Sequence, residues 1–557
     1  MLLGIDVGGT FTDAVLVENG AIIRQAKVPT DSGRILESIL AALDESLHGI
    51  EPCQVERVAL STTLVTNSIV EGKTDKVGLV MMPGPGADWH GRVPGEPIVL
   101  GGYVDHRGRV RQDPDIATLR KVCQNMMHTD LFAVSGKFSV RNPDTEQQVA
   151  RCISQEVQPL HVTCGAAVSG GLNFIRRTNS AYYNAAVWKR FRDFADGAEA
   201  ALKARGIQAP VFILKADGGT LPLAKAREHP VESIFTGPAA SVLGVMALCL
   251  PQVPAVSLDI GGTTTDIALW NNGAPLFDAK GAAIAGYLTA VRAFRLKSVG
   301  IGGDSWVRRE AGKIAVGPHR KGRAMALGGP EPTVTDALIV TGALDAGNPV
   351  LAAEAIRRVS FPGESVEETA QEILETAGVA IRNAIVALLE TEAATPVYRV
   401  EDIVRASVFE PKILVGVGGA AGGLIPIVAA KMGMDWHVPR HATVANAAGA
   451  ALARPTFDIT LRADTSLGEY TVPELGLRRQ ISSRGFSMQQ ARQAAAAHLA
   501  EVALSAGISA VETETIHEEE FNLVRGFNTV GRIITIRSQV KPGVIEKLTD
   551  GKEGGGS

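Results

Sequence analysis

Two stretches of this chain hold residue types suited to phosphate chemistry. The first is Leu3-Gly-Ile-Asp-Val-Gly-Gly-Thr-Phe-Thr-Asp13, and its near copy far downstream is Leu258-Asp-Ile-Gly-Gly-Thr-Thr-Thr-Asp-Ile-Ala268. Each is an apolar run ending in Asp-x-Gly-Gly-Thr. Glycine lets a turn come close to a ligand, and successive turn N–H groups make a concavity for anions to which threonine hydroxyls add donors. A carboxylate beside that cradle repels phosphate unless a divalent cation lies between them, and magnesium favours a few carboxylates with water and phosphate oxygens. One such turn is as readily an ordinary Gly-rich hairpin. Two of them, with Asp6 and Asp13 matched by Asp259 and Asp266, predict a nucleoside triphosphate held from both sides.

The elements around these turns repeat as well. Leu2–Asp6, Ala14–Val17 and Ile22–Val28 read as a three-strand meander with Glu18-Asn-Gly20 as its turn, followed by a helical pattern over Asp31–Leu47. Ala255–Ile260, Thr265–Trp270 and Ala274–Phe277 repeat the meander around Asn271-Asn-Gly273. Between them, strands at 57–60, 76–82, 131–135, 161–165 and 211–215 alternate with helices at 115–127, 145–155, 179–205 and 238–250. A helix over 365–389, a strand over 412–417 and a small-residue helix over 421–432 follow. The repeated unit is the mark of an internal duplication. After Pro455 the pattern changes to an extended stretch over 466–481, an Ala-rich helix over 487–506 and a strand-like run over 521–539, with 512–520 as a solvated acidic patch.

Composition narrows the function. A net charge of −4 and 5% aromatic residues give no general attraction for nucleic acid and few stacking platforms. Five dispersed cysteines without a C-x-x-C pair argue against a disulfide framework or an iron–sulfur cluster, and fit a reducing cytoplasm. The start lacks a basic leader region. The longest apolar segment, 239–250, is too short and too Gly-broken to span a membrane. Residues 551–557 read as a flexible tail.

The paired hairpins resemble those of the actin, sugar-kinase and heat-shock chaperone ATPase superfamily, whose two lobes each present a phosphate hairpin to a central cleft. Val415-Gly-Val-Gly-Gly-Ala-Ala-Gly-Gly423 resembles its adenosine motif, and Gly237–Ser241 and Ala445–Ala451 its tightly crossing connecting helices. Further segments resemble the hydantoinase A/oxoprolinase family: Ser61–Lys73, Ala216–Thr220, Phe235–Ala240, Gly328–Asp336 and Arg177-Thr178 with Asn184. They keep that family's order over about residues 1–455.

The resemblance implies a duplicated ribonuclease-H-like (actin-like ATPase) α/β fold of two lobes with a small C-terminal α+β module. The implied boundaries are 1–250 with inserted helices, 251–455 with the adenosine motif, and 456–550. It implies an ATP-dependent amidohydrolase that activates the carbonyl of a small cyclic amide by phosphoryl transfer. A companion B-type subunit, an oligomer and Mg²⁺ (or Mn²⁺) go with it; a small-molecule kinase and a reactivase-like conformational ATPase are the alternatives. Gly8, Gly9, Thr10, Thr12, Gly261, Gly262, Thr263 and Thr264 are assigned to phosphate, and Gly416, Gly418 and Gly419 to adenosine. Asp6 and Asp259 are assigned to the metal and to catalysis. Thr62, Thr63, Thr66 and Asn67 either line the acceptor side or cap a helix. Two departures stand out. Asp304 in Gly300-Ile-Gly-Gly-Asp-Ser305 replaces an expected third glycine, which makes it a candidate base or ligand. The segment 317–327 puts His319, Arg320, Lys321 and Arg323 where longer members carry a Pro-Gly-Pro-Ala-Cys-Tyr type sequence.

Overall fold

Leu3, Ile5 and Val7 share their strand with small or site residues, so both faces can be covered, and Leu2–Val7 becomes a central strand that is buried almost throughout. The computed structural model describes residues 1–31, 33–278, 280–394, 409–482, 485–505 and 512–549; the tail expected at 551–557 lies outside the described residues. Leu2–Val7 pairs antiparallel with Phe11–Glu18, which pairs with Ala21–Pro29. Asn19 and Gly20 both take positive φ (50° and 73°), the two-residue turn that an Asn-Gly pair favours. On its other edge the strand runs parallel to Arg57–Thr62, itself parallel to Val211–Leu214.

The second half repeats this. Ala255–Ile260 pairs antiparallel with Thr265–Asn271, which pairs with Ala274–Pro275, and runs parallel to Ile413–Val417, itself parallel to Asp435–His437. In each sheet the spatial order is third, second, first, fourth, fifth strand. The chain is therefore a duplicated ribonuclease-H-like α/β protein of two actin-like lobes. The added strand Leu296–Val299 lies against Thr265–Asn271.

The strands expected at 76–82, 131–135 and 161–165 and the helices at 115–127 and 145–155 are present, but as an insertion with a sheet of its own rather than as helices added to the first lobe. Val77–Met82, Leu131–Gly136 and His161–Cys164 form a parallel sheet of their own with Ile98–Val99, and Ile116–Gln124 and Asp144–Glu156 supply its helices. The 31-residue helix Phe174–Ala204 packs on this sheet as well as on the first lobe. Beyond 456, a five-stranded antiparallel sheet is backed by Met488–Ser505 through Ala491, Ala495, Leu499 and Ala503. The run expected as one strand over 521–539 is a hairpin, Thr513–Arg525 with Asn528–Val540, because Gly526 turns at φ 63°. The acidic patch is its first strand, with Glu514, Glu518 and Glu520 paired to Arg292, Arg492 and Arg532. Among the described residues no helix is long and apolar enough to cross a membrane.

The two halves are fastened by a crossing of Thr236–Cys249 with Ala445–Leu452. A Cβ on Gly449 would lie 2.2 Å from the Ala240 carbonyl oxygen, and one on Gly244 would lie 2.3 Å from that of Ala445. Gly4 meets the same helix, its Cβ position 2.1 Å from the Ala447 oxygen. Only glycine fits where backbones touch. We expect Gly449→Val to lower stability by about 3 kcal/mol or more in denaturant unfolding, since rigid backbone must move apart. Gly422→Ala, a helical site with open space around it, should be neutral or stabilising by up to about 1 kcal/mol. Equal effects at both sites would contradict the crossing as the fastening.

Candidate active site in the cleft between the lobes

Both hairpin turns close in the same way, with Gly8 N donating to Phe11 O and Gly261 N to Thr264 O, each at 3.0 Å. Register then sets the chemistry. Asp6 faces Asp13 across one antiparallel pair, and Asp259 faces Asp266 across the other, so each hairpin puts two carboxylates on one face. The helix crossing turns these faces toward one another. A Cβ on Gly262 would lie 2.7 Å from Thr10 Oγ1, so the turns of the two lobes nearly touch. The cleft between them, about 670 Å³, is lined by Asp6, Gly8, Gly9, Thr10, Asp259 and Gly261–Thr264, with Gly418 and Gly419 at one side and Thr63 and Asn67 at the other.

A side cavity of about 250 Å³ shares Gly418, Gly419 and Thr443 with the cleft and runs between Leu338, Val438 and Pro439. Its walls are mostly aliphatic side chains and bare backbone, with His441 and Thr443 beside them, which suits a flat base. Gly418, at φ +93°, is held there by contact, since its Cβ would lie 2.5 Å from Asp259 Oδ1. Two residues expected at the ligand are held away from it. Gly416 packs against the following helix, where a Cβ would meet Ile425 at 2.2 Å. Thr12 is fully buried and its hydroxyl pairs with that of Thr30 at 2.9 Å, securing the loop behind the first turn.

Asp304 is not a surface-loop residue. It is 4% exposed and lines the cleft, its Oδ2 accepting from Thr10 Oγ1 at 3.4 Å and paired with Arg320 Nη2 at 3.0 Å. Its loop lies on the second hairpin through Gly303 N to Gly261 O and Asp304 N to Gly262 O. Of the basic segment, Arg320 is spent on Asp304, and Lys321 sits over the Trp306 ring at 3.5 Å. On the opposite wall Thr63 and Asn67 reach the cleft, whereas Thr62 and Thr66 are used by the connecting helix: Thr236 Oγ1 donates to Thr62 O, and Phe235 N donates to Thr66 Oγ1. Thr63 stands at the N-cap position without making a side-chain cap.

Burial pushes the Asp6 carboxyl up to about 7, opposed by the nearby Ser61 hydroxyl and reinforced by Asp13 and Asp259. Burial together with Asp259 also brings Asp266 to about 7. Asp13, Asp259 and Asp304 are raised as well, each chiefly by burial. Asp6 Oδ1 is buried without a hydrogen-bond partner, while Asp259 Oδ2 accepts from Asn446 Nδ2 at 2.9 Å. An orphaned carboxylate oxygen beside a second carboxylate fits a divalent cation completed by phosphate and water. Among the described residues no group of three or more His, Cys, Asp and Glu side chains could hold a metal unaided. The loop histidines His90 and His106 are exposed.

Sequence reasoning passed over Lys27 and Asn446. Lys27 could have been found from the meander register, which pairs it with Asp13; Asn446 carries no signal inside an Ala/Gly helix.

The chain and its fold match known proteins. The hydantoinase/oxoprolinase family matches residues 177–459 and its N-terminal region residues 2–157. Caprolactamase subunit alpha of Pseudomonas jessenii is 25% identical over 77% of this chain and 67% of its own length. The acetophenone carboxylase gamma subunit of Aromatoleum aromaticum is 27% identical over 61% of this chain, which spans about half (53%) of that subunit. A nucleotide-free acetone carboxylase structure shares the fold, with a TM-score of 0.72 at 19% identity over 99% of this chain and 89% of that one.

The raised carboxyls make stability depend on pH. A native carboxyl that titrates near 7 against 3.8 unfolded binds more protons than the unfolded chain between these values, so stability falls as pH rises through that window. Without divalent cations, the unfolding midpoint should drop from pH 5 to pH 8. Asp6→Asn should flatten the drop and exceed the parent at pH 8 by on the order of 2–4 kcal/mol. Parallel pH curves for the two proteins would rule the buried Asp6 charge out as the cause.

Proposed function

This chain belongs to the hydantoinase/oxoprolinase family, and from that premise we propose that it is an ATP-dependent amidohydrolase acting on a small cyclic amide or a related carbonyl compound. The observation that carries the reading is the convergence of two matched hairpins, with Asp6 and Asp259, on one cleft that continues into an apolar side cavity. The base of ATP fits the side cavity beside Gly418 and Gly419, and its phosphates fit between Gly8–Thr10 and Gly261–Thr264. Asp6 and Asp259 are the residues to hold Mg²⁺ (or Mn²⁺), which supplies charge neutralisation and orientation of the phosphates.

An amide carbonyl is a poor electrophile, and its oxygen is the nucleophile available to phosphorus. In the proposed reaction that oxygen attacks the γ-phosphorus, the bond to the β–γ bridging oxygen breaks, and ADP leaves with the electron pair. Water then adds at the activated carbon, and the ring C–N bond breaks with nitrogen leaving as the protonated amine. A second water converts the acyl phosphate to carboxylate and phosphate. The lobes' part is positioning and electrostatics, the terms that dominate phosphoryl transfer. Turn N–H groups and Thr10, Thr263 and Thr264 are assigned to phosphate oxygens, while Thr63, Asn67 and Asp304, which also line the cleft, are assigned to the acceptor. Asp304, pulled toward its charged form by Arg320 against burial, is suited to take a proton at the acceptor side.

The steps at carbon are assigned to a companion subunit, in line with relatives that are themselves named as subunits. The lactam in the name of the caprolactamase relative favours a lactam or imide over a ketone. The test is ADP release with Mg²⁺ and a panel of lactams and imides, alone and with the companion subunit. Substrate should stimulate ADP release, and Asp6→Asn and Asp259→Asn should each lower it by about 10²-fold or more with the fold intact. Release that no carbonyl compound stimulates in any combination contradicts the amidohydrolase reading.

A further inference from the structure

The cleft is lopsided in charge. Five carboxylates line it (Asp6, Asp13, Asp259, Asp266 and Asp304), and Lys27 is the single cationic side chain among its described lining residues. The duplication makes this informative. In the first half the cross-strand neighbour of Asp13 on the third strand is Lys27, while in the second half the strand laid against Asp266 offers Ser298. One copy of the repeated unit has a fixed cation and the other does not.

Lys27 Nζ donates to both oxygens of Asp13, at 2.7 and 2.9 Å, and to the Thr443 carbonyl at 3.2 Å. Asp13 is buried, but the Lys27 side chain keeps 37% exposure, on the cleft. Its ammonium thus stands where the first lobe meets the segment leading into Ala445–Leu452, within reach of both the hairpin turns and the side cavity. The Thr443 carbonyl is the longest and the only uncharged partner among its hydrogen bonds, and a phosphate oxygen is a stronger acceptor that can replace it.

We propose that Lys27, held by Asp13, is the fixed cation that binds the phosphates common to ADP and ATP, so that the nucleotide is gripped by one protein cation and one metal site rather than by two equivalent halves. This rests on the nucleotide reading above. Two opposite electrostatic consequences follow. A positive charge near the carboxylates attracts phosphate and opposes a free divalent cation.

The experiment is calorimetry of the full chain with Mg·ADP and Mg·ATP, together with Mn²⁺ binding followed by its electron paramagnetic resonance in the absence of nucleotide. Lys27→Gln should weaken both nucleotides by about tenfold or more while Mn²⁺ binds as tightly as before or tighter. Lys27→Arg, which keeps the charge, should stay within about threefold for the nucleotides. Thermal unfolding of each variant reports whether the fold is kept. Unchanged nucleotide binding in Lys27→Gln overturns the proposal, and so does a joint loss of nucleotide and Mn²⁺, the signature of a merely structural ion pair. A native chain that binds neither nucleotide overturns the nucleotide reading itself, and this inference with it.

Discussion

Backbone contact between two small-residue helices is the constraint on which the rest of the structure depends. At Gly244 and Gly449 the helices Thr236–Cys249 and Ala445–Leu452 touch with no room for a side chain, and Gly4 brings the first strand onto the same helix. That contact sets how the two sheets face each other, and so whether the carboxylates at their strand ends meet. Burial of Ala240, Leu243, Ala447, Ala448 and Ala451 stabilises the contact through apolar area. Part of that free energy is offset by buried carboxyl groups held next to one another. Asp6 and Asp266 are both brought to about 7, chiefly by burial and further by the neighbouring carboxylates, and this is the strain the site carries.

The strain has a chemical use. A cleft lined by acidic side chains repels a bare triphosphate, and in the proposed reading a divalent cation bound there offsets that repulsion. Each hairpin provides turn N–H groups and two carboxylates, yet the halves are no longer equivalent. The first carries Lys27 opposite Asp13, and the second carries the loop that places Asp304 and Arg320 at the edge of the cleft. The duplication made the cleft, and the divergence of the two copies is what the proposed nucleotide side and acceptor side rest on.

Much of this was legible in the sequence because the signals are local. Asp-x-Gly-Gly-Thr and Asn-Gly in an alternating context specify a hairpin and its turn, and their recurrence specifies the duplication. Helix and strand positions followed from apolar spacing, and the small-residue helices announced a close crossing. What escaped depends on partners distant in sequence. Gly416 lies in the motif but faces Ile425, and Thr12 lies in the hairpin but pairs with Thr30; which face a residue takes is set by the sheet, not by the motif. The strands at 76–82, 131–135 and 161–165 were legible, but not that they pair into a sheet of their own, because strand pairing is not encoded in apolar periodicity. The hairpin over 513–540 was missed because a single Gly526 turn sits within an otherwise strand-like run.

The central claim is that Asp6 and Asp259 hold one divalent cation against the phosphates of a nucleotide whose base lies beside Gly418 and Gly419. Its most direct measurement is the anomalous density of crystals grown with Mn²⁺ and a non-hydrolysable ATP analogue. The account predicts a manganese peak between the two carboxylates, in contact with phosphate oxygens, and a terminal phosphate facing Thr63, Asn67 and Asp304. A nucleotide bound outside this cleft, or manganese bound away from both carboxylates, would contradict it.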